Sequence, residues 1–225
     1  MTACAVVSVR GGGAVGSERG VDGSDRVGGS DATECYRLLL RRFHGTLDLV
    51  SEKALAGLEA MIGDAERYAV AVARFATSGC VLDVGTGAGL PGVVLAARLG
   101  GRRIVWVERR RRRATFLRLV ISQCGLGNAE VLARDVRAVA RTDLAEPLGA
   151  VTALAVGGFA QLYALTSHLH GPEVVLVARR GEGWESEVEA FSREVSEEDP
   201  VQWTEPLGRG GTLVVLRVPG GQPCR

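Results

Sequence analysis

The sequence predicts one α/β domain whose mostly parallel sheet is covered by helices on both faces. Three observations carry this. From Cys80 onward, short apolar runs alternate with segments of helical spacing, the order that parallel strands impose because each crossover has to carry the chain back. The runs are nearly continuous, as in strands buried on both faces. The first of them ends in a glycine-rich turn, where an open parallel sheet leaves a ligand crevice.

Residues 1–31 are rich in Gly, Ser, Asp and Arg and carry no apolar period, so this stretch is expected to be a disordered tail. A domain is expected over 32–225, with a helical cap at 32–78 and the sheet core at 79–225. In the cap, Tyr36, Leu39, Leu40 and Phe43 repeat at helical spacing, and so do Leu55, Leu58, Met61 and Ile62. Asp64 reads as the N-cap of a third helix bearing Tyr68, Val72 and Phe75. These apolar side chains are read as core.

The sheet follows in order. VLDVG (81–85) is the first strand, PGVVLAARLG a helix closing at Gly100, and RIVWVE (103–108) the second strand. Phe116, Leu117, Val120, Ile121 and Cys124 line one face of the next helix, which stops at Gly125. EVLAR (130–134), VTALAV (151–156) and EVVLVAR (173–179) supply three more strands, with a helix at Phe159–His168 between the last two. Trp184–Val195 is an acidic helix. A weaker strand near Gln202–Thr204, the turn GRGG and a closing strand TLVVLRV (212–218) form a terminal antiparallel hairpin, bringing the count to seven strands.

Composition narrows the function classes. The chain of 225 residues is 46% apolar and 24% charged, with no apolar run approaching the ~20 residues of a membrane span. MTACAVVSV lacks a basic lead-in and is a poor secretory signal, so a cytoplasmic location is expected. The five cysteines are far apart and unpaired in spacing, which reads as reduced thiols with neither a disulfide framework nor a zinc site. His168 and His170 have no neighbouring ligand spacing; a capping or solvated role is expected, and no metal. The formal charge is +1, so any nucleic-acid surface has to be local.

The chemistry concentrates in Asp83-Val84-Gly85-Thr86-Gly87-Ala88-Gly89-Leu90-Pro91-Gly92. Glycines at alternate positions let the backbone turn tightly and approach a ligand. The run reads G-x-G-x-G, not the dinucleotide G-x-G-x-x-G, and an acid stands two residues before it. Glu108, at the end of the second strand, is placed to accept hydrogen bonds from ribose hydroxyls, and Arg134-Asp135 ends the third strand. An acid beside the loop would repel a pyrophosphate but suits a cationic ligand with an α-amino group. S-adenosylmethionine matches; a nicotinamide or flavin dinucleotide, or a plain glycine turn, are the alternatives.

VLDVGTGAGLPGVVLAARL, the strand after it, and ATFLRLVISQCGLGNAEVLARDV resemble the bacterial family that methylates guanine N7 of 16S small-subunit ribosomal RNA (glucose-inhibited division protein B). The likeness is good over 80–136 and traceable from about 36 to 218. It implies a class I S-adenosylmethionine-dependent methyltransferase (Rossmann-like) fold and cofactor contacts at Gly85, Gly87, Leu90, Glu108, Asp135 and Val136. With the residues read above, the expected cofactor set is Asp83, Gly85, Gly87, Gly89, Leu90, Glu108, Arg109, Arg134, Asp135 and Val136.

The expected partner is ribosomal RNA or the small subunit, bound by a monomer. The chain departs from the family where Gly157-Gly158-Phe159-Ala160 stands in place of Arg-Ala-Phe-Ala. Asp48-Leu49-Val50 and Ala60-Met61 likewise replace Asn-Leu-Thr and Arg-His. A paralogue acting on another RNA or a small molecule, and a protein that binds without turnover, are therefore the alternative readings.

Guanine N7 carries a free lone pair, so its methylation calls for alignment and no general base. The catalytic residue set is left unassigned for that reason. Arg109, Arg110, Arg111, Arg112 and Arg113 form the strongest basic cluster and open a helix, where positive charge opposes the helix dipole. An RNA phosphate would relieve that opposition. Phe159 is read as core rather than as a stacking platform.

Overall fold

The computed structural model describes residues 29–195 and 200–220. The disorder expected for residues 1–28, and the cysteines Cys4 and Cys224, lie outside the described residues. Residues 29–31, assigned to the tail from the sequence, belong to the first turn of helix α1 (Gly29–Leu47).

Two more helices precede the sheet, α2 (Glu52–Ala56) and α3 (Leu58–Phe75). Gly57 separates them, so the apolar repeat Leu55–Ile62 is shared between two helices. The Ser51 hydroxyl accepts the Ala54 amide and caps α2 at 3.2 Å. Asp64 does not cap a helix. It is buried within α3, and its Oδ1 accepts the Gly208 amide at 3.0 Å, fastening the helix to the GRGG turn.

Among the described residues the strands are seven: β1 (Cys80–Val84), β2 (Ile104–Val107), β3 (Ala129–Leu132), β4 (Leu148–Ala153), β5 (His170–Arg180), β6 (Val201–Pro206) and β7 (Thr212–Pro219). Helices α4 (Gly92–Arg98), α5 (Arg111–Gln123), α6 (Phe159–Thr166) and α7 (Trp184–Val195) connect them. The strand order is β3-β2-β1-β4-β5-β7-β6. Only β7 runs against its neighbours, pairing antiparallel with β5 and β6. β4 begins earlier than expected: LGAVTALAV is apolar but for Thr152, and pairing with Cys80–Asp83 selects its first six residues.

The two faces of β1 separate the core. Val81 points into a cluster with α1, α3, α4 and α5, centred on Tyr36, Tyr68, Val94, Trp106 and Phe116. Leu82 and Val84 point to the other face, with Phe159 and Leu162 of α6 and Val188 and Phe191 of α7. The N-terminal helices thus share a layer with α4 and α5. Each fully buried large side chain contributes about 1.5–3 kcal/mol, so Trp106, Tyr36 and Phe116 are among the main stabilising residues of this layer.

Two expectations are corrected. Cys35 and Cys124, 89 residues apart in sequence, form a disulfide with Cα atoms 5.5 Å apart, joining α1 to the end of α5. Sequence spacing misses the pair because it is made by helix packing. Cys80 is buried and free. His170 neither caps a helix nor meets solvent: it starts β5 at 1% exposure, its Nε2 2.9 Å from the Thr166 hydroxyl, and burial lowers its pKa to about 4. His168 Nε2 lies 3.0 Å from the Val139 carbonyl.

Candidate functional site

Strand order reverses between β1 and β4, and the crevice of an open parallel sheet lies outside the carboxyl ends at that point. A crevice of about 450 Å³ is found there. Val84 of β1 and Gly85 just after it line it, with Glu108, Arg109, Arg110 and Arg113 beyond β2. Arg134, Asp135, Val136 and Arg137 follow β3, Gly157 follows β4, and Gln161 comes from α6.

The glycine turn is shaped by left-handed backbone at Gly85 and Gly87, with φ of 66° and 61°. Glu108 organises its crevice side. This carboxylate is 5% exposed; Oε2 accepts the Gly87 amide at 3.2 Å and Oε1 the Arg110 amide at 2.8 Å. Glu108 therefore ties the loop after β1 to the start of α5. A carboxylate has about four acceptor positions, so each oxygen keeps one for a ligand.

Asp83 has a different place. It is fully buried under the loop; Oδ1 accepts the Thr152 hydroxyl at 2.9 Å and Oδ2 the Gly92 amide at 3.0 Å. Burial pushes its carboxyl up to about 6, against the pull of those hydrogen bonds. It fixes the start of α4 and the ends of β1 and β4, and it does not line the crevice. Gly92 has to be glycine: a Cβ there would lie 2.6 Å from Trp106 Nε1 and 2.7 Å from Asp83 Oδ2. Leu90 is buried in the core, and Gly89 packs on Val93, Leu117 and Tyr36.

Of the residues expected at the site, the crevice thus gathers Gly85, Glu108, Arg109, Arg110, Arg113, Arg134, Asp135 and Val136. Gly87 meets it through Glu108, while Asp83, Gly89 and Leu90 lie behind the loop. Arg111 and Arg112 are exposed on α5 outside the lining. Arg134 pairs with Asp143 at 3.1 Å and Arg137 with Asp135 at 3.7 Å. Among the described residues, arginines 109–113 form no ion pair. The first turn of α5 holds no acid and no capping side chain, so its amides add to that positive field.

The loop after β4 holds residues that the sequence reading missed. Arg180, at the end of β5, donates through Nη1 to the Gly157 carbonyl, and its Cζ stands 4.3 Å from the centre of the Phe159 ring. Its Nε is 3.5 Å from Glu187 Oε1, which accepts the Phe159 amide at 2.6 Å. Burial lowers the Arg180 pKa while Glu187 opposes the shift. A guanidinium thus stands beside Gly157, the position at which the resembled family carries an arginine and this chain does not. The pair Arg179-Arg180 ending an apolar strand was the available signal. Phe159 is buried, 6.3 Å from Phe191.

Among the described residues no group of three or more His, Cys, Asp or Glu could hold a metal ion, and no helix is long and apolar enough to cross a membrane.

Comparison with known proteins agrees with this geometry. Residues 32–209 match the model of the family described as rRNA small subunit methyltransferase G (GidB). A ribosomal RNA small subunit methyltransferase G from Stenotrophomonas maltophilia (strain K279a) is 34% identical over 146 residues, 65% of this chain and 66% of that protein, just under two thirds of its length. One from Clavibacter sepedonicus is 41% identical over 128 residues, 56% of this chain and 58% of that protein. In fold, the chain resembles an O-methyltransferase from Bacillus cereus solved with SAH: TM-score 0.53, 17% identity, 84% of this chain and 90% of that one. With the family model covering most of its length, the chain belongs to the rRNA small subunit methyltransferase G family.

Proposed function

We propose that the protein transfers a methyl group from S-adenosylmethionine to guanine N7 of small-subunit ribosomal RNA, acting in the cytoplasm as a monomer. The observation that carries the reading is the position of Glu108. It stands in the crevice at the topological switch point, joined to the glycine loop on one side and to an arginine-rich helix start on the other.

The residues present fit that cofactor. Glu108 retains acceptor positions for two ribose hydroxyls. Gly85 brings bare backbone to the crevice, and Asp135 and Val136 line the side where an adenine would lie. When bound, S-adenosylmethionine supplies an electrophilic methyl group on a sulfonium. The protein's part is alignment and exclusion of water, because the N7 lone pair needs no proton removed. Gly157 and Gln161 border the crevice beside β4 and α6, where the base would enter. The A-form major groove hides N7, so the guanine has to be splayed from its helix, with the arginines holding the flanking phosphates. In this reading residues 32–225 act as one domain, with 32–78 bracing the loop from behind.

Incubation of ribosomal particles lacking the mark with methyl-labelled S-adenosylmethionine tests the proposal. Labelled 7-methylguanosine in digested 16S RNA is expected. Cofactor binding with no label in RNA would reject the activity and favour a protein that binds without turnover; label in another nucleoside or molecule would favour a different substrate.

A further inference from the structure

Helix α1 reaches the glycine loop through Tyr36. This residue is fully buried, and its hydroxyl donates to the Ala88 carbonyl, between Gly87 and Gly89, at 3.1 Å. The ring packs so closely that a Cβ on Gly89 would lie 3.3 Å from Tyr36 Cε2. The preceding residue, Cys35, is the one bonded to Cys124, and Cys124 sits at the end of α5, whose start is tied to Glu108. The covalent link thus stands one residue from the side chain that meets the loop. The other ties of α1 are non-covalent: Ala32 and Leu40 are buried in the core, Phe43 meets Phe116 edge-on at 6.4 Å, and Arg37 pairs with Glu59 of α3 at the surface.

We propose that α1 is a redox-dependent strut for the cofactor loop, with Tyr36 as its positioning residue and the Cys35–Cys124 bond as its lock. The inference rests on the reading of this loop as part of the S-adenosylmethionine site. Cys35 is half-buried and within reach of a small dithiol, whereas Cys124 is 2% exposed. One thiolate of the dithiol attacks Cys35 Sγ, and Cys124 leaves and takes a proton. The second thiol then closes the reductant's own disulfide and releases Cys35. Two electrons pass to the protein, which gains two thiols. With only non-covalent contacts holding α1, Tyr36 spends less time on Ala88. The apparent affinity for the cofactor falls with the fraction of loops in the binding geometry.

Calorimetry of S-adenosylmethionine binding to the full chain, oxidised and dithiothreitol-reduced, well below the melting temperature, tests this. Oxidised protein is expected to bind about 3–10-fold more tightly, the range of one well-placed hydrogen bond. Cys35→Ser should bind like the reduced protein and ignore dithiothreitol. Tyr36→Phe should bind weakly in both states while its melting temperature still drops on reduction, a separation that a purely structural bond would not produce.

Equal affinities of oxidised and reduced wild type would overturn this inference alone. So would a Tyr36→Phe protein whose affinity still follows reduction. If Cys35→Ser does not fold, the wild-type and Tyr36→Phe arms decide. Absence of binding in every form would overturn the cofactor reading, and this inference with it.

Discussion

Glu108 reaches back from the end of β2 to accept the amide of Gly87, so the two halves of the crevice share one carboxylate. Glu108→Ala removes this hold, the contact to Arg110 and the proposed acceptor for the ribose. Charged hydrogen bonds of this kind are worth about 1.5–3 kcal/mol each, so S-adenosylmethionine affinity should fall by about 10–100-fold in calorimetry. Glu108→Gln, which keeps one acceptor oxygen, should lose less. Unchanged affinity in both variants would remove Glu108 from the site.

Asp83 and His170 give stability opposing dependences on pH. The Asp83 carboxyl lies at about 6 in the folded chain and 3.8 in a model peptide. Its contribution is therefore fully present below pH 3.8 and lost as pH rises through about 6, a change of about 3 kcal/mol at 1.36 kcal/mol per unit. His170 lies at about 4 against 6.5, so its folded form binds fewer protons and stability rises over that interval. The two cancel in large part. Asp83→Asn, whose amide can still meet Thr152 and Gly92, should unmask the rising slope between pH 4 and 6 in urea denaturation. A flat profile in that variant would contradict the assignment.

Two glycines should fail in different ways. Gly92→Ala drives a methyl group into Trp106 and Asp83 and should cost about 1–3 kcal/mol, visible as a lower melting temperature. At Gly87 a Cβ meets only Arg113 Nη1 at 3.6 Å and the Gly85 carbonyl at 3.7 Å, so space is available and the left-handed backbone sets the cost. Gly87→Ala should cost about 1–2 kcal/mol and weaken cofactor binding beyond its effect on stability.

Arg111 and Arg112 test the proposed RNA contacts apart from the crevice, because both are exposed and neither lines it. Changing each to Ala should weaken RNA binding and reduce the log–log salt slope by about 0.7–0.9 per arginine, as a lost phosphate contact does. Cofactor affinity should stay the same. An unaltered salt slope would make these arginines ordinary surface.

The sheet was legible because its strands are apolar and its turns carry glycine; β1, β2, β5 and β7 lie close to where those runs put them. β4 slid because a nearly unbroken apolar run does not mark its own start. Asp64 and Cys35 were misread for a shared reason: their partners, Gly208 and Cys124, are 144 and 89 residues away, and local pattern carries no trace of either. At the site, the spacing of Glu108 from the loop was readable. That Asp83 points under the loop was not, since the direction of a strand-end side chain depends on which face α4 covers. Arg180 and Glu187 meet Gly157 and Phe159 only after β5 and α7 are docked.

The most direct measurement is a crystal structure with S-adenosylhomocysteine. The nucleoside is expected against Gly85, its ribose hydroxyls within hydrogen-bonding distance of Glu108 and its adenine beside Val136. A crevice that stays empty at saturating ligand, or a nucleoside bound away from Glu108, would contradict that placement.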